Sequence, residues 1–309
     1  MSHGDPQVDR LHRADTITLG GVEITRIQEW AGGYGTYAEL LPESTADGLE
    51  SDREVLVPDF WDPPASTYNC CIQSWLVRSE GRTILIDTGI GEDKDRQIPL
   101  FHHQHFGFLD ALAASSTSPD DIDLVICTHV HVDHVGWNTR LMNDEWVPTF
   151  PNATYLFARA DYEFWNPENG YQQRGAPINA NMFNDSVEPV YRAGQAVLWE
   201  DDYLVDANLR IELAPGHTPG HGAIFLESGA DRAVFVGDVM HSPSQISHPS
   251  WNSCFCEDPD AARKSRRRLL GWASEENALV IPAHFAGAHA CEVVRAGDSF
   301  AVKEWAGWA

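Results

Sequence analysis

Hydrophobic and polar positions alternate with a period of two over residues 16–30, on either side of the Gly20-Gly21 pair. This pattern predicts two antiparallel strands joined by a tight turn, because a strand with one buried face places every second side chain in the core. Residues 1–15 are polar and show no period, so we expect a flexible arm there. Residues 31–68 are rich in glycine, proline and acidic residues, which predicts a long irregular segment.

Short apolar runs recur along the rest of the chain, at lengths typical of strands buried on both faces. They lie at residues 71–77, 83–86, 124–127, 153–157, 209–213, 223–226, 233–236 and 279–281. A helix is predicted over residues 101–115, and another from Pro259 to about residue 273, with Asp258 as its N-cap and its basic residues mostly on the outer face. Helices among buried strands predict an α/β (α+β) fold, and we expect one domain over residues 16–309.

The composition restricts the classes of partner. Asp and Glu number 46 against 21 Lys and Arg, and the formal net charge is −25. Such a charge repels phosphate backbones and anionic lipids, so we expect no nucleic-acid or membrane partner. We expect a small-molecule substrate, and the composition is compatible with a homo-oligomer. The first residues lack a basic segment followed by an apolar one, which predicts a cytoplasmic location. The six cysteines are then expected to be free and mostly buried.

Four side chains that can bind a metal lie within the Thr-His-Val-His-Val-Asp-His sequence of residues 128–134, directly after a predicted strand. In extended chain His129 and His131 project to the same side, and Asp133 and His134 follow in the turn. Burying these groups would cost desolvation energy with nothing to offset it, unless a cation binds there. Imidazole and carboxylate suit zinc, with iron and manganese as alternatives.

This motif resembles the signature of the metallo-β-lactamase superfamily, and the resemblance extends from about residue 16 to residue 285. The other segments that match, in the family's order, are Leu-Ile-Asp-Thr-Gly at 85–89, Pro-Gly-His-Thr-Pro-Gly-His at 215–221, Phe-Val-Gly-Asp at 235–238 and Pro-Ala-His at 282–284. The resemblance implies a four-layer αββα sandwich whose active site lies where the loops at the strand ends gather.

The resemblance also implies two divalent metal ions per chain, with zinc as the first choice. It assigns one ion to His129, His131 and His217, the other to Asp133, His134 and His284, and a bridging position to Asp238. His221 competes with His217, but the family uses the first histidine of that segment. We therefore expect His221, like Asp87, to support the ligands without binding metal.

Within the superfamily, His131 resembles hydrolytic members, since redox members usually carry a carboxylate there and bring a flavin domain. The true β-lactamases lack the carboxylate that Asp238 supplies, which disfavours antibiotic hydrolysis. The acidic net charge disfavours nucleases. Glyoxalase-like members need cations for glutathione, and the basic residues at 264–268 are better explained as a solvated helix face. Lactonases, esterases, phosphotriesterases resembling methyl parathion hydrolase, and hydrolytic dehalogenases of chlorinated aromatics are the remaining branches.

Residues 136–139, 146–153 and 162–165 resemble the lactonase and methyl parathion hydrolase group. We therefore predict hydrolysis of a lactone or ester carbonyl in a small apolar substrate by a metal-bridging hydroxide. Asp133 is the candidate proton shuttle to the leaving group, and Asp238 is catalytic because it holds both ions.

The substrate pocket is expected to contain Trp137, His241 and Phe285, which lie near ligands in sequence, and Trp165, which lies in one of the segments that resemble the lactonase group. A core position for Trp137 and a surface position for His241 are the alternatives. A binding module that keeps its metals for structure alone is a further alternative. It is disfavoured because a closed structural zinc site usually has four ligands and no bridging carboxylate.

Overall fold

The computed structural model of the protein describes residues 15–171, 174 and 177–308, so the predicted arm lies outside the described residues except for Asp15. Its strands are β1 (Thr16–Leu19), β2 (Val22–Thr36), β3 (Trp61–Asp62), β4 (Thr67–Ser79), β5 (Arg82–Ile86), β6 (Leu124–Ile126), β7 (Thr139–Met142), β8 (Glu145–Pro148), β9 (Thr154–Ala158), β10 (Ala196–Trp199), β11 (Asp202–Leu204), β12 (Leu209–Leu213), β13 (Gly222–Ser228), β14 (Asp231–Gly237), β15 (Leu279–Pro282), β16 (Cys291–Ala296) and β17 (Ser299–Trp305). Its helices are α1 (Tyr37–Leu40), α2 (Ala46–Ser51), α3 (Arg53–Leu56), α4 (Phe108–Ala114), α5 (Arg159–Trp165), α6 (Glu188–Arg192), α7 (Ser244–Ser247) and α8 (Pro259–Glu276).

In the part of the chain that the structure describes, these strands form two large sheets and a separate β7–β8 hairpin. The first sheet runs β1-β2-β4-β5-β6-β9-β10, with β3 paired to β4, and the second runs β11-β12-β13-β14-β15-β16-β17. The pairs β5–β6, β6–β9, β9–β10 and β14–β15 are parallel. Every strand of the first sheet ends before Glu200, and every strand of the second begins after Asp201. Within those described residues the chain therefore passes from one sheet to the other once.

Alternate residues of the central strands pack into different cores. In β14, Ala233 and Phe235 lie in the core between the two sheets, whereas Val234 and Val236 pack in the core that includes Leu269 of α8. The outer face of the first sheet packs in a third core with α4 and α6. The predicted αββα sandwich is therefore confirmed, and burial on both faces explains why the central strands are continuous apolar runs.

The segment predicted to be irregular is largely ordered. β2 continues to Thr36, because its pairing with β4 extends to the partners Thr36 and Thr67. Helices α1 to α3 and strand β3 occupy most of the remainder. The helix predicted over 101–115 is shorter than expected, since Gly107 adopts a φ of 77° at the residue before α4.

Helix α8 agrees with its prediction at the N-cap and departs from it at one basic residue. The side chain of Asp258 accepts hydrogen bonds from the amides of Asp260 and Ala261, as the N-cap prediction requires. Arg266, however, is fully buried, and its guanidinium donates to the carbonyl oxygens of Val239 at 2.8 Å and Pro249 at 2.9 Å. This arginine belongs to the core, because those carbonyl groups replace its hydration.

Strand ends from both sheets deliver the candidate ligands to one place. β6 ends three residues before His129, β14 ends directly before Asp238, and β15 ends two residues before His284. The loop before β13 carries His217. No described helix is long and apolar enough to cross a membrane.

Candidate metal centre

A first group of ligand atoms consists of three imidazole nitrogens and one carboxylate oxygen. Nδ1 of His131 lies 3.2 Å from Nε2 of His129 and 3.0 Å from Nε2 of His217. Oδ2 of Asp238 lies 3.7 Å and 3.2 Å from these two Nε2 atoms. Zinc–nitrogen bonds of about 2.0–2.1 Å place the corners of a tetrahedron roughly 3.3 Å apart, so the group has the dimensions of one metal site.

A second group lies on the other side of the Asp238 carboxylate. Nε2 of His134 and Nε2 of His284 are 3.3 Å apart, and Oδ1 of Asp238 is 3.3 Å from the first and 3.0 Å from the second. Asp133 completes the group. Its Oδ1 lies 3.8 Å from Nε2 of His134, and its Oδ2 lies 3.7 Å from Nε2 of His284. Asp238 thus directs one oxygen to each group, and all seven predicted ligands come together.

The hydrogen bonds of the second group leave two nitrogen lone pairs available to a cation. Nδ1 of His134 lies 2.9 Å from a carboxylate oxygen of Asp87, and Nδ1 of His284 lies 2.9 Å from the carbonyl oxygen of Cys71. Each Nδ1 must therefore donate, which leaves a lone pair on each Nε2 of a neutral ring. Two lone pairs and Oδ1 of Asp238 then face one another without a hydrogen between them. A metal ion fits this set of donors.

Burial and neighbouring charges shift the pKa values of the ligands. Burial, with the adjacent imidazole of His134, lowers the pKa of His129 well below its ordinary value. Burial alone would raise the pKa of Asp238, but the imidazoles of His284 and His134 hold it well below its usual range. Burial also opposes the charged form of His134, yet Asp238 and Asp133 raise the pKa of that histidine well above its ordinary value. A proton therefore competes with a metal ion at His134.

Two further predicted residues lie behind the ligands. Asp87 accepts hydrogen bonds from the amide and the hydroxyl of Thr128, at 2.7 Å and 2.9 Å, and orients His134 as described above. Nε2 of His221 accepts the amide hydrogen of Asp238 at 3.0 Å. His221 is therefore turned to the backbone, and His217 faces the ligand group.

Sequence reasoning missed Asp161, which joins two of the ligand-bearing loops. Its buried carboxylate accepts hydrogen bonds from the amide of Val130 at 2.9 Å, the hydroxyl of Thr218 at 2.8 Å and the amide of Gly220 at 2.5 Å. Burial raises the pKa of Asp161 to about 6. The sequence around Asp161 holds no motif, and only the fold brings it beneath both loops.

A cavity opens beside the two ligand groups. Its wall includes the ligands His131, Asp133, Asp238 and His284, together with His241. The remainder is mostly apolar, from Leu40, Ile72, Ile98, Phe101, Val132, Ile178 and Phe255, with Tyr34, Tyr68, Cys70 and Asn179 among them. The wall is thus apolar, as predicted, but it is built largely from residues that the sequence did not single out.

Of the four predicted pocket residues, His241 alone lines this cavity within the described chain. Trp137 is 3% exposed, stacks on Phe108 at 5.6 Å between ring centroids and donates its indole N–H to Glu29. Phe285 is fully buried and packs edge-on against Phe60. The expectation that Trp137 and Phe285 line the pocket is therefore corrected.

Trp165 lies next to the cavity without lining it. Its ring meets that of His131 edge-on at 5.3 Å, and it lines a neighbouring cleft together with Phe164 and Tyr171. Trp137 lies in the 3-10 turn at Gly136–Asn138, and all three residues of that turn are buried. Nearness to a ligand in sequence did not determine the side of the loop on which a side chain lies.

Comparison with known proteins agrees with this geometry. Residues 70–284 match the family model of the metallo-beta-lactamase superfamily. The N-acyl homoserine lactonase AiiA of Bacillus thuringiensis subsp. kurstaki is 23% identical over 234 residues, which cover 72% of this chain and 84% of that protein. The N-acyl homoserine lactonase AttM of Rhizobium radiobacter is 23% identical over 187 residues, or 58% of this chain and 64% of that one.

Solved structures share the fold over nearly the whole length. AidC, described as a dizinc quorum-quenching lactonase in complex with a product, superposes with a TM-score of 0.78 at 20% identity, covering 96% of this chain and 99% of AidC. The hydrolase AbOPH superposes with a TM-score of 0.76 at 21% identity, covering 94% of this chain and 96% of AbOPH. Because the family model spans more than half of the chain and takes in every predicted ligand, the chain belongs to the metallo-beta-lactamase superfamily.

Proposed function

We propose that the protein hydrolyses lactones at a centre of two zinc ions. The observation that carries this proposal is the bridging geometry of Asp238, whose two oxygens serve two ligand groups beside a mostly apolar cavity. The relatives named above are N-acyl homoserine lactonases, and AidC is described as a dizinc enzyme. Both descriptions support the same chemistry here.

Each of the two groups of ligands described above would bind one of the two ions. His129, His131 and His217 would hold one ion together with Asp238. Asp133, His134 and His284 would hold the other, also with Asp238. Two bound zinc ions supply a water acidic enough to act as a nucleophile near neutral pH, and they polarise the scissile carbonyl.

The side chains around the ions position the substrate and move the proton. The carboxylate of Asp133 is 18% exposed, against 4% for Asp238, so its free oxygen can reach the cavity. We assign to Asp133 the transfer of a proton from the attacking water to the departing ring oxygen, which stays tethered to the product as a hydroxyl group. The apolar wall binds the body of the substrate and excludes water from the ring.

His241 supports the bridging carboxylate from the side of the cavity. Its Nε2 lies 3.2 Å from Oδ2 of Asp238. Burial lowers the pKa of His241 to about 4, so its imidazole is neutral at the pH of the reaction. A neutral imidazole can donate one hydrogen bond to Asp238 and adds no positive charge beside the metal ions.

The proposal is tested by comparing substrates at matched zinc content. We expect kcat/KM to be highest for lactones within a panel that also holds aryl esters, phosphotriesters and chloroaromatics. Chelation should abolish the activity and added zinc should restore it. Asp133→Ala should lower kcat on the best lactone, whereas Asp110→Ala, which changes an exposed aspartate of α4, should not. A phosphotriester as best substrate, or turnover that survives complete removal of metal, would contradict the proposal.

Two broader proposals accompany this function. The core between the sheets draws on residues from Val22 of β2 to Ile281 of β15, which supports one domain over residues 16–309. All six cysteines are free, and five of them are buried, which supports the cytoplasmic location expected from the sequence.

A further inference from the structure

Tyr34 lines the metal cavity from an irregular part of strand β2. The register of β2 against β4 shifts between Gly33 and Thr36. Tyr34 and Gly35 therefore stand together opposite a single residue of β4, Tyr68. Gly35 has a φ of 65°, a backbone conformation that glycine adopts without strain. Such a β-bulge bends the strand and changes the direction in which its side chains point, and bulges of this kind recur beside active sites.

The ring of Tyr34 has a defined place in the cavity wall. It packs against two hydrophobic cores, the one that includes α8 and the one on the outer face of the first sheet. It also stacks on Phe101, with ring centroids 6.3 Å apart and an angle of 12° between the planes. Phe101 lines the same cavity. The bulge and this packing together fix the side chain at the place where the two cores meet.

The hydroxyl of Tyr34 lies within the electrostatic reach of Asp133. Burial, and after it the carboxylate of Asp133, raises the pKa of this hydroxyl above its ordinary value, so the hydroxyl keeps its proton. Cys70 has the same effect on that pKa. Asp133 and Cys70 both line the cavity, so the hydroxyl is on the cavity side of the ring.

The two tyrosines of the wall differ in what their hydroxyl groups bind. Tyr68 donates to the carbonyl oxygen of His241 at 2.5 Å. Within residues 15–171, 174 and 177–308, the hydroxyl of Tyr34 forms no hydrogen bond. Tyr34 therefore has a proton to donate to a molecule in the cavity, whereas that of Tyr68 is already used.

We propose that Tyr34 is a catalytic residue that donates a hydrogen bond to the departing ring oxygen of the lactone. The inference rests on the proposed lactonase function, in which Asp133 carries a proton to that oxygen. Because the carboxylate of Asp133 acts on the Tyr34 hydroxyl, an oxygen that reaches Asp133 also lies near Tyr34. As the ring C–O bond breaks, its electron pair passes to the ring oxygen. Tyr34 stabilises this charge and keeps its own proton, and the proton from Asp133 completes the hydroxyl group of the product.

The test changes the leaving oxygen while the substrate remains a lactone. Opening of δ-valerolactone produces an alkoxide, whereas opening of dihydrocoumarin produces a phenolate, whose charge is spread over its ring and needs less stabilisation. Tyr34→Phe removes the hydroxyl and keeps the ring that stacks on Phe101. Tyr203→Phe is the matched control, because Tyr203 is a half-buried tyrosine of β11 that does not line the cavity. Zinc content and thermal midpoint are measured for each variant.

We expect Tyr34→Phe to lower kcat for δ-valerolactone by at least about tenfold with little change in KM, because the hydrogen bond strengthens as charge develops on the oxygen. For dihydrocoumarin the loss should be less than about threefold. The control should match the wild type on both substrates. Equal losses on the two lactones would show that Tyr34 only shapes the cavity, and no loss on either would show that its hydroxyl does not reach the ring oxygen. Each of these results would overturn the inference.

Binding of the product gives a second measurement that does not depend on turnover. The hydroxy acid released from δ-valerolactone carries the former ring oxygen as its hydroxyl group, and pentanoate lacks that group. By calorimetry, the wild type should bind the hydroxy acid more tightly than pentanoate, and Tyr34→Phe should lose most of this preference. An undiminished preference in Tyr34→Phe would contradict the inference. If the wild type hydrolyses neither lactone, the proposed function itself fails, which is a distinct result.

Discussion

Asp238 is the residue on which both metal sites depend, because each of its oxygens serves one group of ligands. Asp238→Ala should lower kcat by at least about a thousandfold, since the two ions lose the group that holds them at a common distance. Elemental analysis should show fewer than two metal ions per chain, and circular dichroism should show a retained fold. Near-normal turnover with two bound ions would mean that Asp238 is merely the residue at the end of β14.

Glu29 predicts a dependence of stability on pH. Burial raises the pKa of its carboxyl to about 7, although the amides of Ile90 and Gly91 and the indole of Trp137 donate to it and favour the charged form. Between about pH 4.5 and 7, the folded protein therefore keeps a proton that the unfolded chain has released. The stabilisation is fully present below pH 4.5 and is lost as the pH rises through 7.

Urea unfolding across this pH range measures the effect. The free energy of unfolding of the wild type should fall with rising pH relative to that of Glu29→Gln, whose side chain does not titrate. Parallel profiles for the two proteins would show that Glu29 stays ionised in the fold.

At the level of single residues, the sequence predicted which side chains come together in the two ligand groups, and it missed most of the pocket. The ligands follow strand ends in a fixed local spacing, so their neighbours in sequence carry the signal. Tyr34 and Asn179 line the cavity although they are more than 140 residues apart, and only tertiary packing brings them to one wall. Trp137 shows the converse, because its place in the core depends on Phe108 and Glu29 in distant segments.

Among the elements, helix α8 positions the loop that carries His217. The backbone amide of Asp258 donates to the carbonyl oxygen of Gly216 at 2.8 Å. The backbone amide of Glu257 donates to the carbonyl oxygen of His217 at 3.0 Å. Gly216 has a φ of 133°, and a Cβ atom on it would lie 2.0 Å from the backbone nitrogen of Ala262. The loop and the helix can therefore approach this closely only with glycine at position 216.

Gly216→Ala should displace His217, lower the zinc content and reduce kcat/KM on lactones by at least about tenfold, because the added methyl group meets backbone of α8 that cannot move aside. Gly229→Ala is the control, since Gly229 also has a positive φ but no atom within 4 Å of the added group. An alanine there carries the strain of a φ of 60° without the collision. Equal zinc content and activity in the two variants would show that the contact with α8 does not position His217.

The elements that the sequence predicted well are those buried on both faces, such as β6 and β14, because a continuous apolar run needs no partner to be recognised. The pairs β7–β8 and β16–β17 went unrecognised, since their exposed positions interrupt the apolar pattern. Helices α1 to α3 have four to six residues each, too few for a helical period to be visible. Their geometry depends on packing against the second sheet.

For the whole molecule, the metal centre lies where the two sheets meet. His129, His131, Asp133 and His134 follow a strand of the first sheet, and His217, Asp238 and His284 belong to the second half of the chain. Metal ions bound here connect the two sheets, and only the folded protein brings these ligands together. Removal of zinc by chelation should therefore lower the thermal midpoint by roughly 5–10 °C, and added zinc should restore it. An unchanged midpoint would mean that the ions contribute nothing to holding the sheets together.

Among the described residues, the chain passes between the sheets once, at Glu200 and Asp201, and this has a consequence for assembly from fragments. Both residues are exposed, and a cut between them leaves each sheet on one polypeptide while dividing the seven ligands four to three. Two such fragments, produced separately and mixed, should recover hydrolysis only when zinc is supplied, because neither fragment alone completes either metal site. The dependence of the recovered activity on fragment concentration, measured with and without zinc, would report the affinity that the metal ions add to the joining of the two halves.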